Sequence, residues 1–287
     1  MRIKLIACEV FTRELSLAAA QSEHIFDITF LPFGLHNCPS DLRSRIQEEI
    51  DDAEGRGYDF IVLGYALCSR GTAGLTARSV PVLIPRAHDC ITLLLGSRAR
   101  YDAEFTAHPG TYYYSPGWIE RSDGEVDQGR ISEKKDREMR DRFEDYVERY
   151  GEDNAKYLIG QESLWLANYD RAALIDTGIG PIQVYREFTR RVAESHGWDW
   201  QELVGDMSLI RRMVSGQWNG GDFVVVQPGQ QVVETFDEQI IGAWWSADAR
   251  SKRSEEGEVE NEEAVNDRVG DGSCRRSGGC RGQADLC

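Results

Sequence analysis

The chain has 287 residues, a hydrophobic fraction of 41% and a formal net charge of −16 at pH 7, with a pI near 4.8. These values fit one large or two modest globular domains, and they argue against a nucleic-acid partner, because nucleic-acid phosphates require clustered lysine and arginine. Its apolar runs are too short to span a bilayer, so we expect no membrane partner. Residues 1–10 lack the apolar stretch of a signal peptide, which predicts a cytoplasmic protein with reduced cysteines.

The first third of the chain predicts an α/β fold. Four apolar segments have the composition of strands: residues 2–7, 28–31, 60–63 and 82–84. Helices are predicted between and after them, at about 12–21, 39–53 and 91–95. This alternation is typical of a doubly wound, mostly parallel, Rossmann-like sheet with right-handed crossovers. In such a sheet the carboxyl ends of the strands meet at one edge, where ligands bind.

Cysteine or histidine follows each of these strands. The four exits carry Cys8, then His36 with Cys38, then Cys68, then His88 with Cys90. Nothing in the packing of a sheet requires these rare residues at its exits. We therefore expect a site at this edge, with Cys68, His88 and Cys90 as neighbours in space.

Residues 1–118 are predicted to form this cysteine-bearing lobe, which ends in the aromatic run Tyr112–Trp118. The run predicts a strand followed by a Ser-Pro-Gly turn. It either walls a pocket or packs on the core as an edge strand. Residues 119–170 are predicted to be a helical connector, with a polar loop up to Arg130.

Residues 171–246 predict a second α/β lobe, which has no cysteine. Asp176 and Asp206 follow its strands, and each is a candidate general base, although capping of the next helix is the favoured interpretation. Residues 247–287 lose apolar periodicity and are predicted to be disordered. This tail carries three cysteines that we interpret as incidental thiols: Cys274, Cys280 and Cys287.

Thiolate and imidazole together suit zinc, iron and other borderline metals. Cys8, Cys68 and Cys90, with His36 or His88 as a fourth ligand, make a chemically sensible tetrahedral set. The spacing has no standard finger signature, so this hypothesis depends on the predicted fold. The alternative is that some of these cysteines are small buried hydrophobes, and that His88 and the following aspartate cap the helix near residue 91.

A second interpretation of the same residues requires no metal. Cys90 lies at a predicted helix N-terminus, where the helix dipole and a nearby His88 or Arg86 would lower the pKa of its thiol. Such a thiolate is either a nucleophile or half of a redox pair with Cys68 or Cys8.

Several spaced motifs carry a family resemblance: Ala7-Cys8, Leu35-His36, Gly64-Tyr-Ala-Leu-Cys68, Arg86 with His88-Asp-Cys90, Leu95-Gly96, Tyr114-Ser-Pro-Gly-Trp118, Asp176-Thr-Gly178 and Gly205-Asp-Met-Ser-Leu209. From Ile3 to about Gly229 the chain resembles the uncharacterised family called domain of unknown function sixteen thirty-eight. The resemblance implies a prokaryotic cytoplasmic protein encoded near corrinoid-dependent methyltransferases, with no settled activity. It implies five shared polar residues and leaves Cys38 outside the pattern: Cys8, His36, Cys68, Asp89 and Cys90.

The leading hypothesis is a metal-thiolate protein of one-carbon or corrinoid-dependent methyl transfer that binds zinc or iron. Cys68, Cys90 and Asp89 would carry the chemistry, because a metal keeps a thiolate deprotonated as a methyl acceptor and Asp89 would orient a ligating histidine. Two alternatives remain open. One is a non-catalytic accessory protein that docks on a methyltransferase or corrinoid protein through Tyr112–Trp118 and Trp244-Trp245. The other is a thiol redox enzyme that uses Cys68 and Cys90.

Overall fold

The computed structural model describes residues 1–122, 131–163, 167–218 and 221–246. In these ranges helices alternate with strands of mostly parallel sheets, which confirms the predicted α/β class. The predicted disordered tail and its three cysteines lie outside the described residues.

In chain order the strands are β1 (Arg2–Cys8), β2 (Ile25–Leu31), β3 (Phe60–Gly64), β4 (Val82–Pro85), β5 (Thr111–Tyr114), β6 (Arg171–Asp176), β7 (Asp199–Val204), β8 (Phe223–Val226), β9 (Gln230–Glu234) and β10 (Ile241–Trp245). The helices are α1 (Thr12–Ala20), α2 (Pro39–Asp52), α3 (Cys90–Leu95), α4 (Arg98–Ala107), α5 (Pro116–Ser122), α6 (Ile131–Tyr150), α7 (Glu152–Ser163), α8 (Ile182–His196) and α9 (Ser208–Val214). Short 3-10 turns at Glu9–Phe11 and Leu35–Asn37 follow the first two strands.

The first sheet has the strand order β2-β1-β3-β4-β8. Its first four strands are parallel, as predicted, and β8 pairs antiparallel with β4. The central strands are continuous apolar runs because their side chains are buried on both faces; Ile6, Val62 and Leu83 are each inaccessible to solvent. The carboxyl ends of β1, β3 and β4 consequently lie side by side at one edge.

Helix α2 shows how the sequence packs a helix on this sheet. Leu42, Ile46 and Ile50 recur every four residues and are fully buried, so they form one apolar stripe on an otherwise charged helix. Pro39 lies in the first turn, as predicted, where its missing amide hydrogen costs no intrahelical bond.

The second sheet has the order β5-β6-β7, and all its strands are parallel. Ala173 and Leu174 of the central strand β6 are fully buried, and helix α8 places Tyr185 and Phe188 among the apolar residues of this region. The tyrosines of β5 are buried at the edge of this sheet. The aromatic run is therefore an edge strand packed on the core.

The two sheets do not follow the order of the chain. Strand β5, which the sequence grouped with the cysteine-bearing lobe, pairs with β6. Strand β8, grouped with the second lobe, pairs with β4 of the first sheet. The proposed division of the chain into two lobes stays a prediction.

Two local predictions in this region were wrong or incomplete. The Ser-Pro-Gly segment is the start of helix α5 rather than a turn, because Pro116 suits a first helical position and the Ser115 hydroxyl accepts a hydrogen bond of 3.1 Å from the Trp118 amide.

The antiparallel hairpin β9–β10 was not predicted.

The connector contains the two predicted helices, α6 and α7, which contact each other. Residues 123–130 of the predicted polar loop lie outside the described residues. Among the helices that the structure describes, none has the length and apolar character needed to cross a bilayer.

Candidate functional site

Backbone hydrogen bonds join the segments that follow β3 and β4. The Leu67 amide donates to the Ala87 carbonyl oxygen at 2.9 Å, and the Cys68 amide donates to the His88 carbonyl oxygen at 2.9 Å. These bonds continue the parallel pairing past the ends of the strands. The segments carrying Cys68, His88 and Cys90 are therefore neighbours, as the sequence predicted.

Cys68 has an unusual backbone conformation. Its φ is 46°, and the next two residues, Ser69 and Arg70, also have positive φ values of 53° and 69°. Residues other than glycine rarely adopt this left-handed region, and each such residue costs about 1–3 kcal/mol. The turn is held by a hydrogen bond of 2.9 Å from the Gly71 amide to the Cys68 carbonyl oxygen. Strain of this kind clusters at functional sites, which makes Cys68 the principal candidate residue.

Tyr65 lies close to two of the predicted thiols. It is only 3% exposed, and its hydroxyl interacts with the Cys8 thiol through a hydrogen bond. Burial raises the pKa of Tyr65, and the neighbouring Cys8 and Cys68 thiols raise it further. The hydroxyl therefore stays protonated at neutral pH, and beside a thiolate it can act as a hydrogen-bond donor.

Cys8 and Cys68 are themselves mostly buried, with exposed fractions of 9% and 6%. Cys8 ends β1, and Cys68 follows β3, the strand paired with β1. Strand β3 approaches β1 closely because Gly64 has no side chain: a Cβ there would lie 2.5 Å from the Ala7 Cβ. Two cysteines from different parts of the sequence thus share one environment around Tyr65.

Asp89 caps helix α3, as the alternative interpretation held. Its Oδ1 accepts hydrogen bonds from the Ile91 and Thr92 amides at 3.0 and 3.3 Å. Its Oδ2 accepts one from the Tyr101 hydroxyl at 3.0 Å. Burial and the adjacent Asp89 and Cys90 all raise the pKa of Tyr101. The predicted roles of Asp89 in catalysis or toward a histidine stay predictions.

The histidines lie after β2 and β4, at the predicted exits. His36 is half-buried in the 3-10 turn after β2, with its ring edge-on to Phe33, and His88 is exposed. In the described ranges no group of three or more His, Cys, Asp or Glu side chains is placed to hold a metal ion. The predicted metal set, Cys8, His36, Cys68, His88 and Cys90, stays a prediction.

The carboxyl ends of the two sheets face each other across a seam. Several contacts form this inter-sheet seam, and each joins a segment following a strand of one sheet to one following a strand of the other; they include Val10 with Gly117, Leu94 with Asp206, and Glu14 with Thr177. The Asp206 amide donates to the Leu94 carbonyl oxygen at 2.9 Å, and the Thr177 hydroxyl donates to Glu14 Oε1 at 2.8 Å. The candidate thiols lie on the first-sheet side of this seam.

Glu14 is a buried acid within the inter-sheet seam. Its side chain is inaccessible to solvent, and its Oε2 makes no hydrogen bond within the described residues. Burial is the main cause that raises the pKa of Glu14, while the hydrogen bond from Thr177 opposes it. Nearby, Glu120 accepts hydrogen bonds from Arg13 at 2.8 Å and from the Tyr185 hydroxyl at 2.5 Å. The seam therefore contains ionisable groups as well as apolar packing.

The two aspartates that follow β6 and β7 make local bonds. Asp176 accepts a hydrogen bond from the Gly178 amide at 2.7 Å, and Asp206 accepts one from the Ser208 amide, in the first turn of α9, at 2.8 Å. The capping prediction was wrong, because Pro181 and Met207 are the residues that precede α8 and α9, and both aspartates accept their bonds within short turns instead.

One known family matches most of the chain. The family described as Protein of unknown function (DUF1638) matches residues 30–214. The chain belongs to this family. No curated protein matches the chain, and no solved structure matches it either.

The DUF1638 match covers most of the candidate site. Cys68, Cys90 and Tyr65 lie inside it, whereas Cys8 precedes its first residue. The match is narrower than the resemblance predicted from Ile3 to about Gly229. The left-handed segment that begins at Cys68 lies within the family stretch.

Sequence reasoning missed three polar residues of the site: Glu14, Tyr65 and Tyr101. A signal existed for two of them. Tyr65 directly follows a strand exit, and Glu14 lies on the inward face of α1, next to Leu15 and one turn before Ala18. No pattern in the sequence marked Tyr101.

The predicted aromatic docking residues have different environments. Trp118 is half-buried, with its ring edge-on to Phe33 and Tyr114 at centroid distances of 6.0 and 4.9 Å. Trp244 on β10 is 42% exposed. Trp118 is thus part of the packing around the seam, and the docking role of Trp244 stays a prediction.

Proposed function

We propose that this protein is a thiol-dependent enzyme in which the Cys68 sulfur accepts a group from its substrate. The observation that carries the proposal is the strained backbone at Cys68, set beside the buried hydroxyl of Tyr65, whose pKa is raised by both the Cys8 and the Cys68 thiols. Cys8 supplies a second thiol on the other strand. We place the site in the crevice at the carboxyl ends of two Rossmann-like lobes.

In this scheme the Tyr65 hydroxyl, which interacts with Cys8 in the structure, turns to the neighbouring Cys68, donates a hydrogen bond to its thiolate and stabilises the charge. The thiolate sulfur forms a new bond to carbon of the transferred group. The bond between that carbon and its leaving group breaks, and the leaving group keeps the electron pair. The family resemblance makes a corrinoid-bound methyl group the first substrate to test.

We expect Tyr65→Phe to slow the alkylation of Cys68 by iodoacetamide about tenfold at pH 7, because a hydrogen bond to a charged group contributes about 1.5–3 kcal/mol. Mass spectrometry of the Cys68 peptide would give the rate. The control is Tyr58→Phe, since Tyr58 lies beside Asp27 and Arg2, before β3 begins. This control should leave the Cys68 rate unchanged. Equal Cys68 rates in Tyr65→Phe, Tyr58→Phe and wild type would contradict the proposal.

A metal-thiolate site for methyl transfer is the second candidate. The observation that favours it is the strand order, because the exits carrying Cys8, Cys68 and Cys90 belong to the consecutive strands β1, β3 and β4. Zinc or iron would take these three thiolates with His36 or His88, after the side chains rearrange toward one point. Metal coordination would protect the three cysteines from alkylation together, and a chelator would release them together.

A further inference from the structure

Two arginines lie together at the exit of β4. Arg86 directly follows this strand, and Arg98 begins helix α4. Burial is the main cause that lowers the pKa of Arg86, and the positive charge of Arg98 is the second cause. The two guanidinium groups therefore lie close together. We call these residues the arginine pair. These guanidinium groups concentrate positive charge in a chain whose net charge is −16.

The arginine pair bonds to backbone carbonyls, most of which belong to one loop; the exception is the bond of 3.3 Å from Arg86 Nε to the Phe223 carbonyl oxygen on β8. Arg86 Nη1 donates to the carbonyl oxygens of Gln239, at 3.3 Å, and of Ile241. Arg98 Nη1 donates to the carbonyl oxygen of Glu238. Among the described residues, no carboxylate lies within ion-pair distance of either guanidinium; Asp237 is near Arg86 without reaching it.

The loop that provides these carbonyls is strained. Ile240 has a φ of 62°, a conformation that is exceptional for a β-branched side chain. The Ile240 amide donates to the Asp237 carbonyl oxygen at 3.1 Å, which closes a tight turn. This turn directs three carbonyl oxygens of the segment 238–241 to the arginine pair. The carbonyl oxygens of this turn accept hydrogen bonds from the two guanidinium groups, and the turn that places them there has a strained backbone.

We propose that the arginine pair binds the phosphate group of a small molecule, and that the carbonyls of the loop 237–241 occupy the positions of its oxygens when no ligand is bound. Arginine presents a planar fork of donors that matches the oxygens of a phosphate group, and charged partners strengthen these hydrogen bonds. Binding would exchange neutral carbonyl acceptors for anionic ones and let Ile240 leave its strained conformation. The proposal is independent of the thiol chemistry at Cys68.

The site has the location expected for a ligand. It lies at the carboxyl end of β4, next to the helix α3 that begins at Cys90, and parallel sheets bind ligands at this edge. His88, which is exposed two residues after Arg86, can add a further donor to an anion. A phosphate group bound here would place the rest of its molecule toward the crevice.

The test uses inorganic phosphate as the probe and the full-length protein. We expect calorimetric titration with sodium phosphate to give saturable binding to the wild type, and Arg98→Met to weaken the affinity at least tenfold. The matched control is Arg100→Met. Arg100 lies on the same helix and also donates to backbone carbonyls, those of Leu95 and Val204. Because it is also an arginine, its replacement by methionine removes the same charge. This control should keep the wild-type affinity.

Circular dichroism would confirm that both variants fold, and sodium chloride would hold the ionic strength constant. Equal phosphate affinity in Arg98→Met and Arg100→Met would overturn the proposal, as would the absence of saturable binding to the wild type. Sodium acetate should not bind saturably. If acetate binds as tightly as phosphate, the assigned ligand class is wrong.

Discussion

Replacement of Gly117 by alanine should lower the free energy of unfolding by about 3 kcal/mol, because overpacking that forces the backbone to move costs about 1–3 kcal/mol or more. A Cβ at this position would lie 1.8 Å from the Val10 carbonyl oxygen and 3.0 Å from its Cα. These are backbone atoms of the 3-10 turn after β1, and no rotamer change can relieve the contact. The variant thus pushes helix α5 away from the first sheet and opens the inter-sheet seam.

Urea denaturation monitored by circular dichroism would measure the effect. Gly160→Ala is the control, since Gly160 lies in helix α7 and, apart from its own helix, no atom of the described residues is within 4 Å of its added Cβ. Alanine there should be neutral or stabilising by about 0.5–1 kcal/mol, because glycine weakens a helix interior. Unfolding free energies for the two variants within about 0.5 kcal/mol of each other would show that the contact between α5 and the first sheet is not tight.

Glu14→Gln should stabilise the protein at pH 7 by about 1 kcal/mol or more, because an ionised carboxylate is costlier to bury than a neutral amide. The amide oxygen of the new side chain can still accept the hydrogen bond that Thr177 now donates to Glu14 Oε1. Burial raises the pKa of Glu14, and the Glu120 carboxylate acts in the same direction, whereas Thr177 and Arg13 oppose this shift. The folded protein therefore holds the Glu14 proton more tightly than the unfolded chain does.

The sign of the pH dependence follows from this raised pKa. Below the ordinary glutamate pKa both states are protonated, and the stability that protonated Glu14 contributes is fully present. Between the unfolded and the folded pKa the unfolded chain releases its proton first, so stability falls until the pH has passed the folded pKa. The unfolding free energy of Glu14→Gln minus that of wild type should therefore increase with pH and then level off.

Urea denaturation across the pH range would measure this difference. A difference that is constant or decreases between about pH 4 and pH 8 would show that folding does not raise the pKa of Glu14.

The four parallel strands of the first sheet were predictable because they are short, mainly apolar runs separated by helices with apolar stripes. Cys68 and Cys90 could be placed at one edge for the same reason, since parallel strands fix where their exits lie. Helix α2 has an apolar stripe and a proline at its first turn, and both signals are local.

The features that the sequence could not provide depend on contacts between distant residues. Strand β5 joins β6, about 60 residues later in the chain, and no local pattern specifies this pairing. The left-handed backbone at Cys68 is equally hidden, because a cysteine has no intrinsic preference for positive φ and the surrounding hydrogen bonds impose it. The same holds for Ile240. The convergence of Cys8 and Cys68 on Tyr65 follows from the β1–β3 register rather than from spacing.

The most direct test of the account is the alkylation rate of each cysteine in the native, anaerobically purified protein, measured with and without a chelator. We predict that Cys68 reacts with iodoacetamide faster than Cys38, although Cys68 is buried and Cys38 is half-exposed, and that the chelator leaves the Cys68 rate unchanged. This result would identify Cys68 as an activated thiol. A Cys68 that reacts more slowly than Cys38 would contradict the account, and joint release of Cys8, Cys68 and Cys90 by the chelator would replace it with the metal-thiolate site.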